Sequence, residues 1–305
     1  MLGFILRRLL IIIPMAWLVV TLTWGLIRIA PGNFYSGEKK LPAAVEANIR
    51  AKYGLDKPWY TQYGIMIWNV IRGDFGYSLK NPDRTVNEMI ADHLPYSATV
   101  GFLAYLLALI LGIAAGTVAA LKQNSAFDYA SMSVAMFGLS LPNFVLGPLF
   151  VLVFSLWLYV FPPARWGGPA ALVMPVITLG VIYAAYIARL TRAGMLEILR
   201  SDYIRTARAK GLDEKTILLR HALRGGLIPV VSFTGPALAA LLGGTVVVEK
   251  VFALPGLGNI FIQAVLNRDE TLVLGIVAFL SILIMIFNLV VDISYGFLDP
   301  RIRYE

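Results

Sequence analysis

Very few residues in this chain could do bond-making chemistry. It has two histidines, His93 and His221, and no cysteine. Disulfides, thiolate metal sites, a cysteine nucleophile and a multi-histidine metal centre are therefore excluded. No G-x-S-x-G elbow, H-E-x-x-H pair or G-x-x-x-x-G-K-[ST] phosphate loop occurs. His93 follows Asp92 just ahead of an apolar run, where the pair reads as interfacial rather than catalytic. The remaining polar groups of interest are mild and lie within apolar surroundings. Ser140, Asn143, Ser232, Thr234 and Thr245 are candidates to line a water-filled path, and helix-to-helix hydrogen bonding is the alternative for each.

Composition sets where these groups sit. Of 305 residues, 58% are hydrophobic and 14% charged, with mean hydropathy +0.74. A soluble domain is about 25% charged, so this chain has too little charge to coat a globule and reads as a membrane protein. Six stretches lack Asp, Glu, Lys and Arg: Leu9–Ile27, Thr99–Leu121, Tyr129–Ala164, Ala170–Ala188, Gly225–Val248 and Thr271–Val291. A hydrocarbon core needs about 20 apolar residues per helical crossing. Five stretches fit one crossing each. The third is longer and carries Pro142 and Pro148, so residues 128–141 read as a shallow or tilted lead-in and about 143–161 as the crossing, in preference to two full crossings with a tight hairpin at Pro142. The expectation is an all-α polytopic membrane protein with six transmembrane helices.

Basic residues orient the spans. Arg7 and Arg8 precede the first, Lys122 follows the second, and Arg301 and Arg303 follow the last. Residues 189–224 hold nine Lys/Arg against four acidic residues, which is most of the net charge of +8. That charge is thus a local orientation signal rather than a sign of nucleic-acid binding. Both termini are expected in the cytoplasm. The first helix reads as uncleaved, because Arg28–Pro31 lacks a small-residue cleavage site. Residues 1–30 are the first helix, 31–95 an extracytoplasmic segment, 96–296 the core with its cytoplasmic loop 189–224, and 297–305 a tail.

Small residues recur four apart along two spans, at Ala108, Gly112, Gly116 and Ala120, and at Gly235, Ala239 and Gly243. Such stripes admit close helix approach in lipid, either inside one bundle or against a second membrane subunit. Pro14, Pro142, Pro148, Pro175, Pro229 and Pro236 free backbone carbonyls and predict kinked helices. Carboxylates and histidines are missing from span centres, whereas ion-driven carriers rely on such relays. Any transport energy is therefore expected to come from a partner.

The most informative segment is MLEILRSDYIRTARAKGLDEKTILLRHALRGGLIP, Met195 to Pro229. Leu196, Leu199, Tyr203 and Ala207 recur at helical spacing. Gly211 breaks that pattern, and Asp213 can cap a second short helix carrying Ile217, Leu218, His221 and Leu223. A helix, a glycine turn and a second helix projecting from the membrane suit an ordinary basic loop or a docking element for a soluble partner.

RTARAKGL followed by RHALRGGLIP resembles the coupling loop of ATP-binding-cassette importer permeases of the peptide-uptake family. It is similar to that branch's variant of the EAA loop. Arg205, Thr206 and Ala207 stand at the three leading positions, Gly211 at the glycine, and His221, Leu223 and Arg224 at the trailing ones. Only Ala207, Gly211 and Leu223 keep the general pattern. The likeness extends through FILRRLLIIIP, KYGLDKPWYTQY, GDFGYSLK, ALKQNSAFDY, SLPNFVLGP, VFALPGLGNIF, LNRDETLVLG and DPRIRY, and is greatest to the first of the two membrane subunits of oligopeptide importers. The resemblance implies the type I importer permease fold in the bacterial inner membrane. It also implies a second homologous permease, two cytoplasmic ATPases that bind ATP and Mg, and an extracytoplasmic peptide-binding protein. This chain itself would bind no cofactor and hydrolyse no ATP. Dipeptides, nickel complexes or glutathione remain alternative substrates, and an ion-coupled carrier remains the alternative class. Within residues 31–98, Ala44–Tyr53 and Trp59–Arg72 suit amphipathic helices, forming either a cap or a platform for the binding protein. Residues 249–270 read as a short helix dipping at an outer gate, or as a tether.

Overall fold

The computed structural model describes residues 2–29, 54, 56–243 and 246–298. Ala44–Tyr53, Thr245 and residues 299–305 of the tail lie outside them. The elements are α1 (Leu2–Ile29), α2 (Trp59–Ile71), α3 (Val86–Leu121), α4 (Ala126–Ser140), α5 (Asn143–Phe150, continued by a π-helical stretch Val151–Trp157), α6 (Pro169–Leu199) and α7 (Asp202–Ala209). Glu214–Thr216, the π-helical stretch Ile217–Ala222 and Leu223–Gly226 follow one another and are together α8. Then come α9 (Ile228–Leu242), α10 (Val246–Val251), α11 (Leu257–Leu266) and the last crossing, α12 (Glu270–Leu298). Among the described residues there is no strand, only an isolated bridge between Tyr77 and Thr85.

Among the described residues, five helices are long and apolar enough to cross a bilayer, and six if the α4–α5 pair is one broken span. That pair bends by 101° at Leu141–Pro142. The residue before a proline avoids helical geometry, and Leu141 accordingly has φ −87° and ψ 117°. Pro148 removes a donor one turn into α5, and the hydrogen bonding loosens to π-helical from Val151. The lead-in stretch, shallow or tilted in the sequence reading, is the helix Ala126–Ser140, set at a sharp angle to the next.

α3 is longer than its charge-free stretch. It starts at Val86 behind a capping box, in which Thr85 Oγ1 accepts from Glu88 N at 3.2 Å and Glu88 Oε2 accepts from Thr85 N at 3.0 Å. It continues past Asp92, His93 and Pro95 without a break in the helix. Asp92 pairs with Arg84, and His93 Nδ1 lies 2.7 Å from the Met89 carbonyl.

α3 and α6 run parallel and pack along much of their length, with α9 against both. The buried centre includes Ala104, Ala108, Met174, Ile187, Val230, Ala237 and Leu241. Lipid offers apolar groups no gain from burial, so close backbone approach stabilises such a bundle. The glycines supply it. A Cβ on Gly112 would stand 2.7 Å from the Ile187 Cβ, and one on Gly116 2.4 Å from the Ala188 carbonyl oxygen, both on α6. A Cβ on Gly101 would stand 2.4 Å from the Leu241 oxygen of α9. One on Gly235 would meet Val291 of α12 at 2.9 Å, whereas Gly243 has Leu280 at an ordinary 3.5 Å.

The two ends of the bundle differ. At one, α7 and α8 cover the ends of α3 and α6 through Ala120, Met195, Ile204, Ala207, Ile217 and Ala222. At the other, α11 packs with the start of α3 and of α12 through Val86, Ile90, Leu257, Ile260 and Ile276. α1 lies at the periphery, joined to α2 and α12 by a small cluster around Val20, Leu274 and Ala278. There Thr21 Oγ1 and the Tyr63 hydroxyl are 2.6 Å apart, and Trp24 meets Tyr63 edge-on.

Candidate functional site: a loop clamped to the helix bundle

The loop begins where α6 stops. Arg200 and Ser201 interrupt the helix, and α7 restarts at Asp202. The interruption rotates the apolar face by one position from the one that a continuous helix predicts. Ile204 is fully buried and Tyr203 is 46% exposed, its hydroxyl donating to the His221 carbonyl at 3.4 Å. Ala207 is buried beside Ile204. Arg205 and Thr206 point outward, Arg205 pairing with Asp202 at 3.3 Å and Thr206 Oγ1 donating to the Asp202 carbonyl at 2.9 Å.

Gly211 ends α7 with φ +79° and no heavy atom near its missing Cβ. A left-handed turn in open space suits glycine for conformational reasons alone. The turn is fastened on both sides. Arg208 Nε donates to Glu214 Oε1 at 2.7 Å and Nη2 to Oε2 at 3.2 Å, spanning the glycine. Asp213 Oδ2 accepts from Thr216 N at 3.0 Å and caps α8. The Thr216 side chain and then its N–H hold the Asp213 carboxyl below its ordinary range, and the Arg208 hydrogen bond does the same for Glu214.

The end of α8 returns to α6 at closest range. A Cβ on Gly194 would stand 2.3 Å from the Gly226 oxygen. The Met195 side chain lies over Gly226, and Ile198 and the Tyr203 hydroxyl over Gly225. Ile217 and Ala222 are fully buried, His221 and Leu223 are half-buried, and Arg224 is exposed. What projects from this clamp is an exposed surface of Tyr203, Arg205, Thr206, Gly211, Leu212 and Leu219, with basic groups around it.

The candidate path residues are spread over three helices. Ser140 is exposed on α4 and donates to the Met136 carbonyl at 2.9 Å. Ser232 on α9 donates to the Ile228 carbonyl at 2.9 Å. Thr234 donates to Val230 at 3.0 Å and accepts from the Tyr105 hydroxyl of α3 at 2.6 Å, joining the two helices. Asn143 is half-buried, and its amide oxygen has no hydrogen-bond partner among the described residues. Tyr183, Tyr186 and Phe233 form an aromatic group across α6 and α9, with Arg189 over the exposed Tyr186 ring. The spacing of Tyr183, Tyr186 and Arg189 on one helical face was the available sequence signal for that group.

Two buried carboxylates organise the opposite end. Glu249 of α10 is 3% exposed. Its Oε1 accepts from Ser97 Oγ at 2.6 Å and its Oε2 from Asn259 N at 2.9 Å, while Ser97 Oγ accepts from Leu257 N at 2.8 Å. A carboxylate at the start of α11 suits the helix dipole. Gly256 and Gly258 are required for its fit, since a Cβ on either would come within 3.0 Å of it. Asp269 accepts from Ser78 Oγ, from Leu79 N at 3.1 Å and from Leu272 N at 3.2 Å, fixing the Tyr77–Thr85 turn to the start of α12. Both acids lie near the ends of the stretch 249–270, which reads as a short dipping helix or a tether, and no local pattern marks their burial.

No group of three or more metal-binding side chains occurs among the described residues. A cavity of about 800 Å3 lies between α1, α2 and the start of α12, bordered by Trp24, Arg28, Gln62, Tyr77 and Glu270. None of the described candidate path residues lines it.

Residues 91–304 match the family model described as "Binding-protein-dependent transport system inner membrane component". The chain is 44% identical over 306 residues to the oligopeptide transport system permease protein OppB of Haemophilus influenzae and 45% identical to OppB of Escherichia coli K12, covering 100% of both chains in each case. It is 42% identical over 285 residues to the dipeptide transport system permease protein DppB of Bacillus subtilis, with 93% of this chain and 92% of that one covered. Among solved structures, an inward-facing MetNI methionine ABC transporter aligns with TM-score 0.59 and 18% identity over 69% of this chain and 96% of that chain. At that identity the likeness concerns the fold, which is that of type I importer permeases.

Proposed function

Because the chain belongs to the family of binding-protein-dependent transport system inner membrane components, we propose that it is an oligopeptide-translocating permease subunit of an ATP-driven importer in the bacterial inner membrane. The observation that carries the mechanism is the clamp between Gly194 and Gly226. It makes the loop 200–226 and the end of α6 one body. A force applied by a soluble partner at Gly211 and its neighbours therefore reaches α6 directly. α6 is in turn locked to α3 at Gly112 and Gly116.

In this reading two ATPase subunits dock on the loop, one on this chain and one on a second, homologous permease. ATP binds to them, with Mg, and their closure moves the clamped loop and α6. The permeases then open toward an extracytoplasmic peptide-binding protein. A peptide carries many amides that need partners throughout the crossing. A path made between two chains, with hydroxyls and amides rather than fixed charges, suits substrates of varied side chains. Full-length likeness to oligopeptide permeases at 44–45% identity supports oligopeptides as the cargo, and the dipeptide relative supports a second reading with shorter peptides.

Purification of the chain under mild detergent from its native membrane tests the assignment. A second permease, two ATPases and a binding protein should copurify, and the binding protein should select peptides of several residues. Recovery of a complete complex whose binding protein takes only dipeptides would replace the cargo with the shorter class. A chain that purifies without any ATPase yet transports would overturn the reading.

A further inference from the structure

We infer that Asp128 and Arg192 form the joint through which displacement of the clamped loop reaches the α4–α5 elbow, so that both are positioning residues for translocation; this rests on the permease reading above. Arg192 lies on α6 two residues before the Gly194 contact. Its Nε donates to Asp128 Oδ1 at 2.6 Å and its Nη2 to Oδ2 at 2.7 Å. Asp128 is 1% exposed, and its Oδ2 also accepts from Asn124 N at 3.0 Å in the turn between α3 and α4. One carboxylate therefore ties the α3–α4 turn, the first turn of α4 and the loop-bearing end of α6.

The rest of the contact between α4 and α6 is of another kind. Gly138 faces Val181 and Ala185 at 3.6 and 3.9 Å from where a Cβ would stand, and Ala135 is the other buried apolar residue of α4. Among the described residues α4 makes no other side-chain hydrogen bond to α6. Apolar contacts of ordinary length allow helices to slide, whereas a two-point guanidinium–carboxylate pair fixes both distance and direction. The far end of α4 turns by 101° into α5. There Gly147 sits against Val251 and Phe252 of the opposite end, at 3.2 and 3.5 Å from its Cβ position. α4 and α5 thus form a bent arm running from the loop-bearing end to the segment that holds Glu249. The pair is where that arm is fixed to the moving body.

Removing one partner leaves a buried charge and threatens folding, but removing both does not. The decisive variant is therefore the double substitution Asp128→Asn with Arg192→Gln, beside Arg192→Lys, which keeps the charge and loses the two-point geometry. Each is assayed in the complete reconstituted complex for assembly, for ATP hydrolysis stimulated by loaded binding protein, and for peptide taken up per ATP. Assembly and hydrolysis should stay within about twofold of the parent while uptake per ATP falls about tenfold, within the usual range of coupling effects. The chain has no cysteine, so spin labels on Ser133→Cys of α4 and Glu197→Cys of α6 report their separation directly. That distance should be the same with and without ATP in the parent and change with ATP in the double variant.

Parent-like uptake per ATP in the double variant would overturn the joint. So would uptake and hydrolysis that fall together with the amount of assembled complex, since that is what a purely structural pair would do. The parent complex separates this proposal from the one beneath it. ATP-driven uptake by the parent with unaffected variants removes the joint alone, whereas absence of such uptake in an intact parent complex removes the permease reading.

Discussion

Gly194→Ala tests whether the loop is clamped to α6 as the contacts indicate. The new Cβ would lie 2.3 Å from the Gly226 oxygen, 3.1 Å from its carbonyl carbon and 3.3 Å from Pro229 Cδ. Two of these atoms are backbone, which cannot rotate away. To restore an ordinary carbon–oxygen separation of about 3.4 Å, the end of α8 must lift from α6 by roughly 1 Å. Overpacking of this kind costs about 1–3 kcal/mol. If that cost falls mainly on the conformation in which loop and helix move together, coupling weakens by about 5- to 150-fold. The control is Gly225→Ala, whose nearest neighbour is the Ile198 Cδ1 at 2.9 Å, the end of a side chain that can change rotamer. The assay is ATP hydrolysis and peptide uptake by the whole complex in liposomes, normalised to assembled complex. Gly194→Ala should lose uptake by at least about fivefold while Gly225→Ala retains most of it. Equal, parent-like uptake from both would refute the clamp.

Three further predictions follow from other parts of the same geometry. Gly211 has φ +79° in open space, so Gly211→Ala should lower the stability of the loop by about 1 kcal/mol with Gly211→Asn closer to the parent, and Gly211→Arg should abolish uptake while membrane insertion persists. Normal uptake by Gly211→Arg at normal expression would remove this turn from the docking surface. Asp213 and Glu214 are held below their ordinary range, so their stabilisation is fully present above about pH 4 and is lost as pH falls through the depressed values. Hydrogen exchange of residues 212–217, corrected for the intrinsic pH effect, should be flat from about pH 5 to 8, and a protection loss within that window would contradict the assignment. Ser97→Ala removes the hydroxyl that donates to Glu249 and accepts from Leu257 N. It should loosen α10 and α11, seen as faster exchange there with that of α7 unchanged, and unchanged exchange at both places would show that this hydroxyl does not hold the segment.

Much of the architecture is legible in the sequence because bilayer constraints are strong. Stretches without charge locate the crossings, and the small-residue spacing at Gly112 and Gly116 anticipates close packing. Gly211 and Asp213 carry their turn and cap in their residue types. Helix ends are less legible where charge lies inside the helix. α3 runs through Asp92, His93 and Pro95 back to Val86 because a capping box and long-range packing stabilise those turns. The break at Arg200–Ser201 shifts burial from Tyr203 to Ile204, since a heptad-like pattern assumes one continuous helix. Asp128–Arg192 and Glu249–Ser97 join positions 64 and 152 residues apart. No local pattern marks such pairs, because their partners are chosen by the packing of distant helices.

The central claim is that this chain moves peptide with energy taken up by partner subunits through the loop 200–226. The most direct test is the purified complex in sealed liposomes with ATP inside, loaded binding protein outside, and ionophores present to abolish ion gradients. The account predicts accumulation of labelled oligopeptide that continues with the gradients collapsed, stops without ATP, and is lost in Gly211→Arg although that complex assembles. Uptake that proceeds without ATP but fails when the ion gradients collapse would contradict it.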